Sequence, residues 1–174
     1  MKKALVVVDY QKDFVDGALG SEDALALEDP LFRRVSKAFD DGEAVFFTMD
    51  THGPDYSATN EGHHIPVPHC IKDTEGWRIF GRLEQLSRKA EIFCKDTFGS
   101  VGLAKRLSEV GFDRIELCGV ATNICVTVNA ALIRSFLPEA EIVIDPKLVA
   151  SYDRGLGEAA LNVMKSFCID IKNE

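Results

Sequence analysis

Reactive side chains follow four apolar segments of strand length in this sequence. They are an acid, an acid with a histidine two positions later, a lysine and a cysteine, namely Asp9, Asp50 with His52, Lys95 and Cys125. A cysteine becomes a nucleophile when a base accepts its proton and a cation or a helix N-terminus stabilises the thiolate. The set therefore indicates nucleophilic catalysis, in which an acid accepts the proton of Cys125 and Lys95 supplies a positive charge.

The segments that must position these residues alternate between strands and helices. Apolar runs predict strands at Leu5–Asp9, Ala44–Met49, Glu91–Lys95, Arg114–Val120, Glu141–Asp145 and Phe167–Ile171. Apolar spacing and capping residues predict helices that open at Asp29-Pro30, span Val101–Val110, run from Thr122 or Asn123 to Phe136, and run from Asp153 to Ser166. Such alternation predicts an α/β protein with three layers. We expect a doubly wound, Rossmann-like fold with helices on both faces of a mainly parallel sheet of about six strands, which binds ligands at the carboxyl ends of those strands.

The composition excludes several classes of function. With 20 Lys and Arg against 28 Asp and Glu, the formal net charge is −8, which disfavours nucleic acid and anionic membrane surfaces as partners. The 174 residues predict one domain, residues 1–174. No apolar run has the length of a transmembrane helix, and Asp9 interrupts the N-terminal run too early for a signal peptide, so we expect a cytoplasmic protein.

Two further patterns limit the chemistry. The 5 cysteines form no CxxC pair, which predicts reduced thiols rather than a disulfide framework. Gly155-Leu156-Gly157 does not follow a strand and lacks a third glycine, so no nucleotide cofactor is expected.

Three stretches carry a resemblance to a known family. They are Val-Asp-Tyr-Gln-Lys-Asp-Phe at 8–14, Lys-Asp-Thr-Phe at 95–98 and Cys-Gly-Val-Ala-Thr-Asn-Ile-Cys-Val at 118–126. In these motifs the chain resembles the isochorismatase-like cysteine hydrolases, and among them the nicotinamidase branch. The resemblance implies a catalytic triad of Asp9, Lys95 and Cys125 that forms a thioester with an amide substrate. It also implies a cis peptide between Val120 and Ala121, and an oxyanion hole made by the backbone N–H groups of Ala121 and Cys125.

All 4 histidines lie in the long segment between the second strand and residue 79. A loop of this length within a compact domain is typically functional. Nicotinamidases bind a divalent metal beside the cysteine, and the resemblance implies a metal site at Asp50, His52, Glu61 and His69. Two imidazoles with carboxylates suit Zn²⁺, with Mn²⁺ or Fe²⁺ as alternatives. An open coordination position would take water or the ring nitrogen of a pyridine.

Aromatic side chains offer walls for a substrate pocket. We assign this role to Phe14, Trp77 and Tyr152, with core packing as the alternative for each. The sequence departs from the family at Asn123, where an Asp is usual, and this removes a charge beside the cysteine.

The function predicted from these observations is that of a metal-dependent cysteine amidase. Its expected reaction converts nicotinamide and water to nicotinate and ammonia, so the expected partner is a small-molecule amide, and a homo-oligomer is compatible with the sequence. One alternative keeps the triad and acts on another small amide, a carbamoyl compound or a ureido compound. A second alternative is a metal-binding or regulatory relative without turnover.

Overall fold

Six parallel strands form one sheet in the computed structural model, which describes residues 1–172. The strands are β1 Lys3–Val8, β2 Ala44–Asp50, β3 Glu91–Lys95, β4 Arg114–Val120, β5 Glu141–Ala150 and β6 Asp170–Ile171. Their order across the sheet is β3-β2-β1-β4-β5-β6, and each neighbouring pair is parallel. The predicted parallel sheet is confirmed.

Helices cover both faces of this sheet. They are α1 Lys12–Val15, α2 Glu22–Ala26, α3 Glu28–Asp40, α4 Asn60–His64, α5 Leu83–Ser87, α6 Val101–Val110, α7 Thr127–Phe136 and α8 Arg154–Ser166. Because side chains alternate along a strand, Leu5 and Val7 of β1 pack into one apolar cluster with α3 and α5, while Val6 and Val8 pack into another with α6, α7 and α8. The predicted three-layer, doubly wound α/β fold is therefore confirmed. No helix within the described range is long and apolar enough to cross a membrane.

The strand order reverses at the centre of the sheet, between β1 and β4. These two strands approach closely at Gly119, whose φ is +107° and where a Cβ would lie 2.2 Å from the carbonyl oxygen of Val8. Only glycine fits that conformation and that spacing. Doubly wound folds bind their ligands in the crevice where the strand order reverses. The residues that follow β1 and β4 therefore lie at the edge of the sheet where a ligand is expected.

Several boundaries differ from those predicted. β5 continues to Ala150, with an irregularity in its pairing to β4, and β6 contains only Asp170–Ile171. α3 begins at Glu28, so Pro30 lies inside the first helical turn. Backbone N–H groups in that turn have no acceptor within the helix, so a proline there breaks no helical hydrogen bond. The short helices α1, α2, α4 and α5 were not predicted, because four or five residues hold too few apolar positions for a periodic pattern.

Candidate active site

The connection after β4 holds Cys125 in a π-helical turn. This turn spans Thr122–Val126 and leads directly into α7. It follows a cis peptide bond between Val120 and Ala121, in agreement with the family resemblance. Cys125 is only 5% exposed, so its thiol lies beneath the surface of the protein.

The ammonium group of Lys95 lies close to two carboxylates and to the Cys125 thiol. Lys95 Nζ lies 2.7 Å from Asp9 Oδ2, 3.1 Å from Asp50 Oδ1 and 3.8 Å from Cys125 Sγ. All four residues are buried. The structure thus brings the three predicted triad residues together, and it adds Asp50 as a second carboxylate partner of the lysine.

Burial controls the protonation of this group. It raises the pKa of the Cys125 thiol well above its usual range, and the carboxylate of Asp9 raises it further, against the opposing effect of Lys95. Burial also raises the pKa of Asp9, again opposed by Lys95. Both effects of burial disfavour the charged forms of the thiol and of the carboxyl group.

Four side chains from β2 and the following segment form a compact set of metal ligands. Asp50, His52, Glu61 and His69 each offer a ligand atom, and these atoms lie within 4.8 Å of one another. Asp50 Oδ2 lies 3.0 Å from His52 Nε2 and 3.5 Å from His69 Nε2. This is the predicted set, and a buried cluster of two imidazoles and two carboxylates has the donors that a divalent metal requires.

The surroundings of these ligands fit a cation. Burial would raise the pKa of Asp50, but His52, His69 and Lys95 hold it below its usual range. Burial raises the pKa of Glu61, and the neighbouring Asp50 carboxylate raises it too. The Nδ1 atom of His69 lies 2.7 Å from the backbone carbonyl oxygen of Val67. That contact places the ring proton on Nδ1 and leaves Nε2 free as a ligand.

A small apolar cavity of about 70 Å³ opens onto both groups. The residues that line it are Phe14, Leu19, Ser21, Ala24, Asp50, Glu61, Ile65, His69, Phe98, Val120, Ala121, Ile124, Cys125, Ala150 and Tyr152. Phe14 and Tyr152 are therefore placed as predicted, and Phe14 also packs against the ring of His69 at a centroid distance of 5.2 Å. Both residues of the predicted oxyanion hole face the cavity, although the role of their backbone N–H groups stays a prediction.

Trp77 does not line this cavity, which corrects the prediction for that residue. Its indole N–H donates to Thr51 Oγ1 at 2.8 Å, and its carbonyl oxygen accepts from the Gln11 side chain. The same Gln11 side chain donates to the carbonyl oxygen of Asp50 and accepts from its N–H. Trp77 and the fully buried Gln11 therefore anchor the backbone of Asp50 rather than contact a ligand.

Asn123, which stands where the family usually has an Asp, also does not line the cavity. Its side-chain oxygen accepts a hydrogen bond from Ser151 Oγ at 2.6 Å. Ala121 precedes the first residue of the turn, and no side chain of residues 1–172 caps it, so the predicted cap by Thr122 or Asn123 is wrong. Asn123 joins the turn to the end of β5 and contributes no charge to the thiol.

Sequence reasoning missed most of the apolar wall. Phe98 and Ile124 stand inside the motifs at 95–98 and 118–126, and their position beside predicted catalytic residues was a usable signal. Leu19 and Ile65 had no such signal, because they enter the cavity from irregular segments that the tertiary fold brings together.

Comparisons with known proteins agree with this geometry. The family model of the isochorismatase domain matches residues 3–172. The chain is 31% identical to the uncharacterized isochorismatase family protein PncA of Bacillus subtilis (strain 168), covering 88% of this chain and 89% of that protein. The crystal structure of nicotinamidase/pyrazinamidase PncA from Bacillus subtilis aligns with a TM-score of 0.89 and 31% identity, covering 99% of this chain and 100% of that one. The pyrazinamidase of Pyrococcus horikoshii in complex with zinc aligns with a TM-score of 0.87 and 28% identity over 100% of both chains.

The protein belongs to the isochorismatase family. The predicted relationship to its nicotinamidase branch is confirmed by these relatives, and so is the predicted class, a hydrolase of amide bonds.

Proposed function

We propose that this protein is a metal-dependent nicotinamidase. It converts nicotinamide and water to nicotinate and ammonia through a thioester on Cys125. One observation carries the proposal: the buried Asp9–Lys95–Cys125 group and the four candidate metal ligands meet at one apolar cavity. The zinc-bound pyrazinamidase of Pyrococcus horikoshii supports Zn²⁺ as the first choice of metal.

The first half-reaction begins with the transfer of the Cys125 proton to Asp9. The thiolate then attacks the carboxamide carbon, and the backbone N–H groups of Ala121 and Cys125 hold the oxyanion that forms. Asp9 returns the proton to the nitrogen, the C–N bond breaks, and ammonia leaves behind a thioester. Lys95 remains charged throughout and stabilises the thiolate and the carboxylate in turn.

The second half-reaction regenerates the thiol. Asp9 accepts a proton from a water molecule that attacks the thioester carbon. The C–S bond breaks, nicotinic acid leaves and ionises to nicotinate in solution, and the sulfur recovers the proton from Asp9. The protonated thiol is thus both the start and the end of the proposed cycle.

Asp50, His52, Glu61 and His69 would hold the metal in this scheme. When bound, a divalent metal supplies an open coordination position for a water or for the ring nitrogen of a pyridine. The protein's own contribution is the position of Glu61 and His69, which line the same cavity as Cys125.

The charge of the cavity favours a neutral amide over an N-carbamoyl amino acid. No lysine or arginine between residues 1 and 172 lines the cavity, whereas Asp50 and Glu61 do. These two carboxylates balance the charge of one divalent metal, so no net positive charge is left for a substrate carboxylate. Burying an unpaired carboxylate is strongly unfavourable.

The substrate test compares two amides on the same preparation. With Zn²⁺ or Mn²⁺ supplied, we expect a kcat/KM for ammonia release from nicotinamide that exceeds the value for N-carbamoylglycine by about 100-fold or more. The measurement is a coupled ammonia assay. An equal or higher kcat/KM for N-carbamoylglycine would favour a carbamoyl compound over nicotinamide as the substrate. If metal-loaded protein releases no ammonia from either amide, a relative without turnover is favoured.

The metal site is tested separately by metal content. We expect His69→Ala and Glu61→Ala to weaken Zn²⁺ binding by at least about 10- to 100-fold, because each removes one donor from the set. Titration calorimetry on metal-free protein measures this loss. The matched control is His63→Ala, since His63 is exposed and lies outside the ligand set. Unchanged affinity in both ligand variants would show that the metal binds elsewhere.

A further inference from the structure

The buried hydroxyl of Thr48 contacts the carboxyl group that accepts the thiol proton. Thr48 lies on β2 and is fully buried, and its Oγ1 donates to Asp9 Oδ1 at 2.6 Å. The proposed reaction assigns this hydroxyl no role. A hydroxyl-to-carboxylate bond of this length is a strong, charge-assisted hydrogen bond.

Thr48 also holds the backbone of Asp9. The N–H of Asp9 donates to both the carbonyl oxygen and the hydroxyl oxygen of Thr48, each at 3.2 Å. Asp9 itself has a φ of +44°, a left-handed conformation that residues with a side chain rarely adopt. Thr48 therefore anchors Asp9 at two points, the amide and the carboxyl group, where β1 ends and the chain turns.

The two carboxylate oxygens of Asp9 consequently differ. Oδ1 is engaged by Thr48, whereas Oδ2 is buried and accepts no hydrogen bond of ordinary geometry from the described residues. Oδ2 instead forms an ion pair with Lys95 Nζ at 2.7 Å, and the same Nζ lies 3.8 Å from Cys125 Sγ. Oδ2 is thus the oxygen that shares the ammonium group of Lys95 with the thiol, and it keeps a lone pair for a proton.

We infer that Thr48 is a positioning residue, which directs Asp9 Oδ2 toward Cys125 by binding Oδ1. The inference rests on the proposed function, because it assigns Asp9 the role of proton acceptor. Without the hydroxyl, the carboxyl group can rotate about its Cβ–Cγ bond, and neither oxygen is reserved for the thiol.

Thr48→Val and Thr48→Ser form a matched pair for the test. Valine keeps the shape of threonine without its hydroxyl, and serine keeps the hydroxyl. With nicotinamide, we expect Thr48→Val to lower kcat about 10- to 100-fold, the effect of losing one hydrogen bond to a charged group, with KM within about twofold. Thr48→Ser should retain kcat within about threefold of the original protein.

A second readout does not depend on the substrate. We expect the alkylation of Cys125 by iodoacetamide, followed by mass spectrometry of its peptide, to slow in Thr48→Val and not in Thr48→Ser. If the original protein releases no ammonia from nicotinamide, the proposed function fails, and the alkylation rates still decide the role of Thr48.

Three other outcomes overturn the inference. The first two are original kcat and alkylation rates in Thr48→Val, and an equal loss of these rates in Thr48→Ser. The third is a loss of rate that accompanies reduced Zn²⁺ content, because Thr48 lies two residues from the candidate ligand Asp50. If Thr48→Val does not fold, Thr48→Ala is compared with Thr48→Ser by the same alkylation rates. A rate in Thr48→Ala equal to that in Thr48→Ser then rejects the role of the hydroxyl.

Discussion

Replacing Cys125 with alanine is expected to lower the rate of ammonia release from nicotinamide by about 10⁴-fold or more, the effect of deleting a nucleophile. The reason is geometric, because Cys125 is the residue whose thiol lies within 3.8 Å of Lys95 Nζ and also faces the cavity. The fold should survive the change, since alanine removes one sulfur atom from a buried position. A coupled ammonia assay and circular dichroism measure the two effects.

The matched control is Cys94→Ala. Cys94 is exposed and precedes Lys95 on β3, so its side chain points away from the lysine's side of the strand. We expect this variant to retain the original rate. In the original protein, acid quenching during turnover should trap a nicotinoyl group on the peptide that contains Cys125. Turnover by Cys125→Ala, or an acyl group on another cysteine, would contradict the thioester mechanism.

Lys95→Met should give the largest loss of stability. Lys95 is 6% exposed and forms ion pairs with Asp9 and Asp50, so its removal leaves two buried carboxylates without their shared cation. Breaking a buried charge pair by removing one partner typically costs about 3–5 kcal/mol. We expect a loss of this size in the free energy of unfolding of metal-free protein at pH 8, measured by urea denaturation.

The loss should depend on pH in a defined direction. Burial already raises the pKa of Asp9, and Lys95 is the main group that opposes this effect. Without the lysine the folded-state pKa of Asp9 rises further above the unfolded value. The variant is therefore least affected at low pH, where Asp9 is neutral in both states, and becomes less stable as the pH rises through the folded-state pKa.

Lys105→Met is the control for this prediction. The side chain of Lys105 is 70% exposed and lies 4.0 Å from Glu109 in a surface pair of α6. Such pairs contribute about 0–1 kcal/mol, so this variant should unfold close to the original protein at every pH. A similar small loss in Lys95→Met would mean that Asp9 and Asp50 do not depend on the buried lysine for charge compensation.

Much of the site could be predicted because strands end where apolar runs end. Asp9, Asp50 and Lys95 each close or follow such a run, and parallel strands deliver their carboxyl ends to one edge of the sheet. Local pattern therefore placed them together before any contact was known. Strand ends alone did not predict that His52 and His69 lie near Asp50, because the segment that contains them has no periodicity. That prediction came from the family resemblance.

The wall of the cavity could not be predicted from local pattern. An aromatic residue in a loop can pack inward or line a pocket, and spacing does not distinguish the two. Phe14 and Tyr152 line the cavity, while Trp77 turns to Thr51 and Gln11. The difference arises from how separate segments pack against one another, which depends on contacts between residues far apart in the chain.

The sequence by itself determined the fold class, the family and the identities of the reactive residues, because periodicity, strand ends and motif order are local properties. Only the tertiary structure decided the state of those residues. Burial raises the pKa of the Cys125 thiol, and the Thr48 hydroxyl donates a hydrogen bond to one of the two carboxylate oxygens of Asp9. Solvent exclusion and hydrogen bonds between distant strands set both features, and neither is encoded in the spacing of residues along one segment.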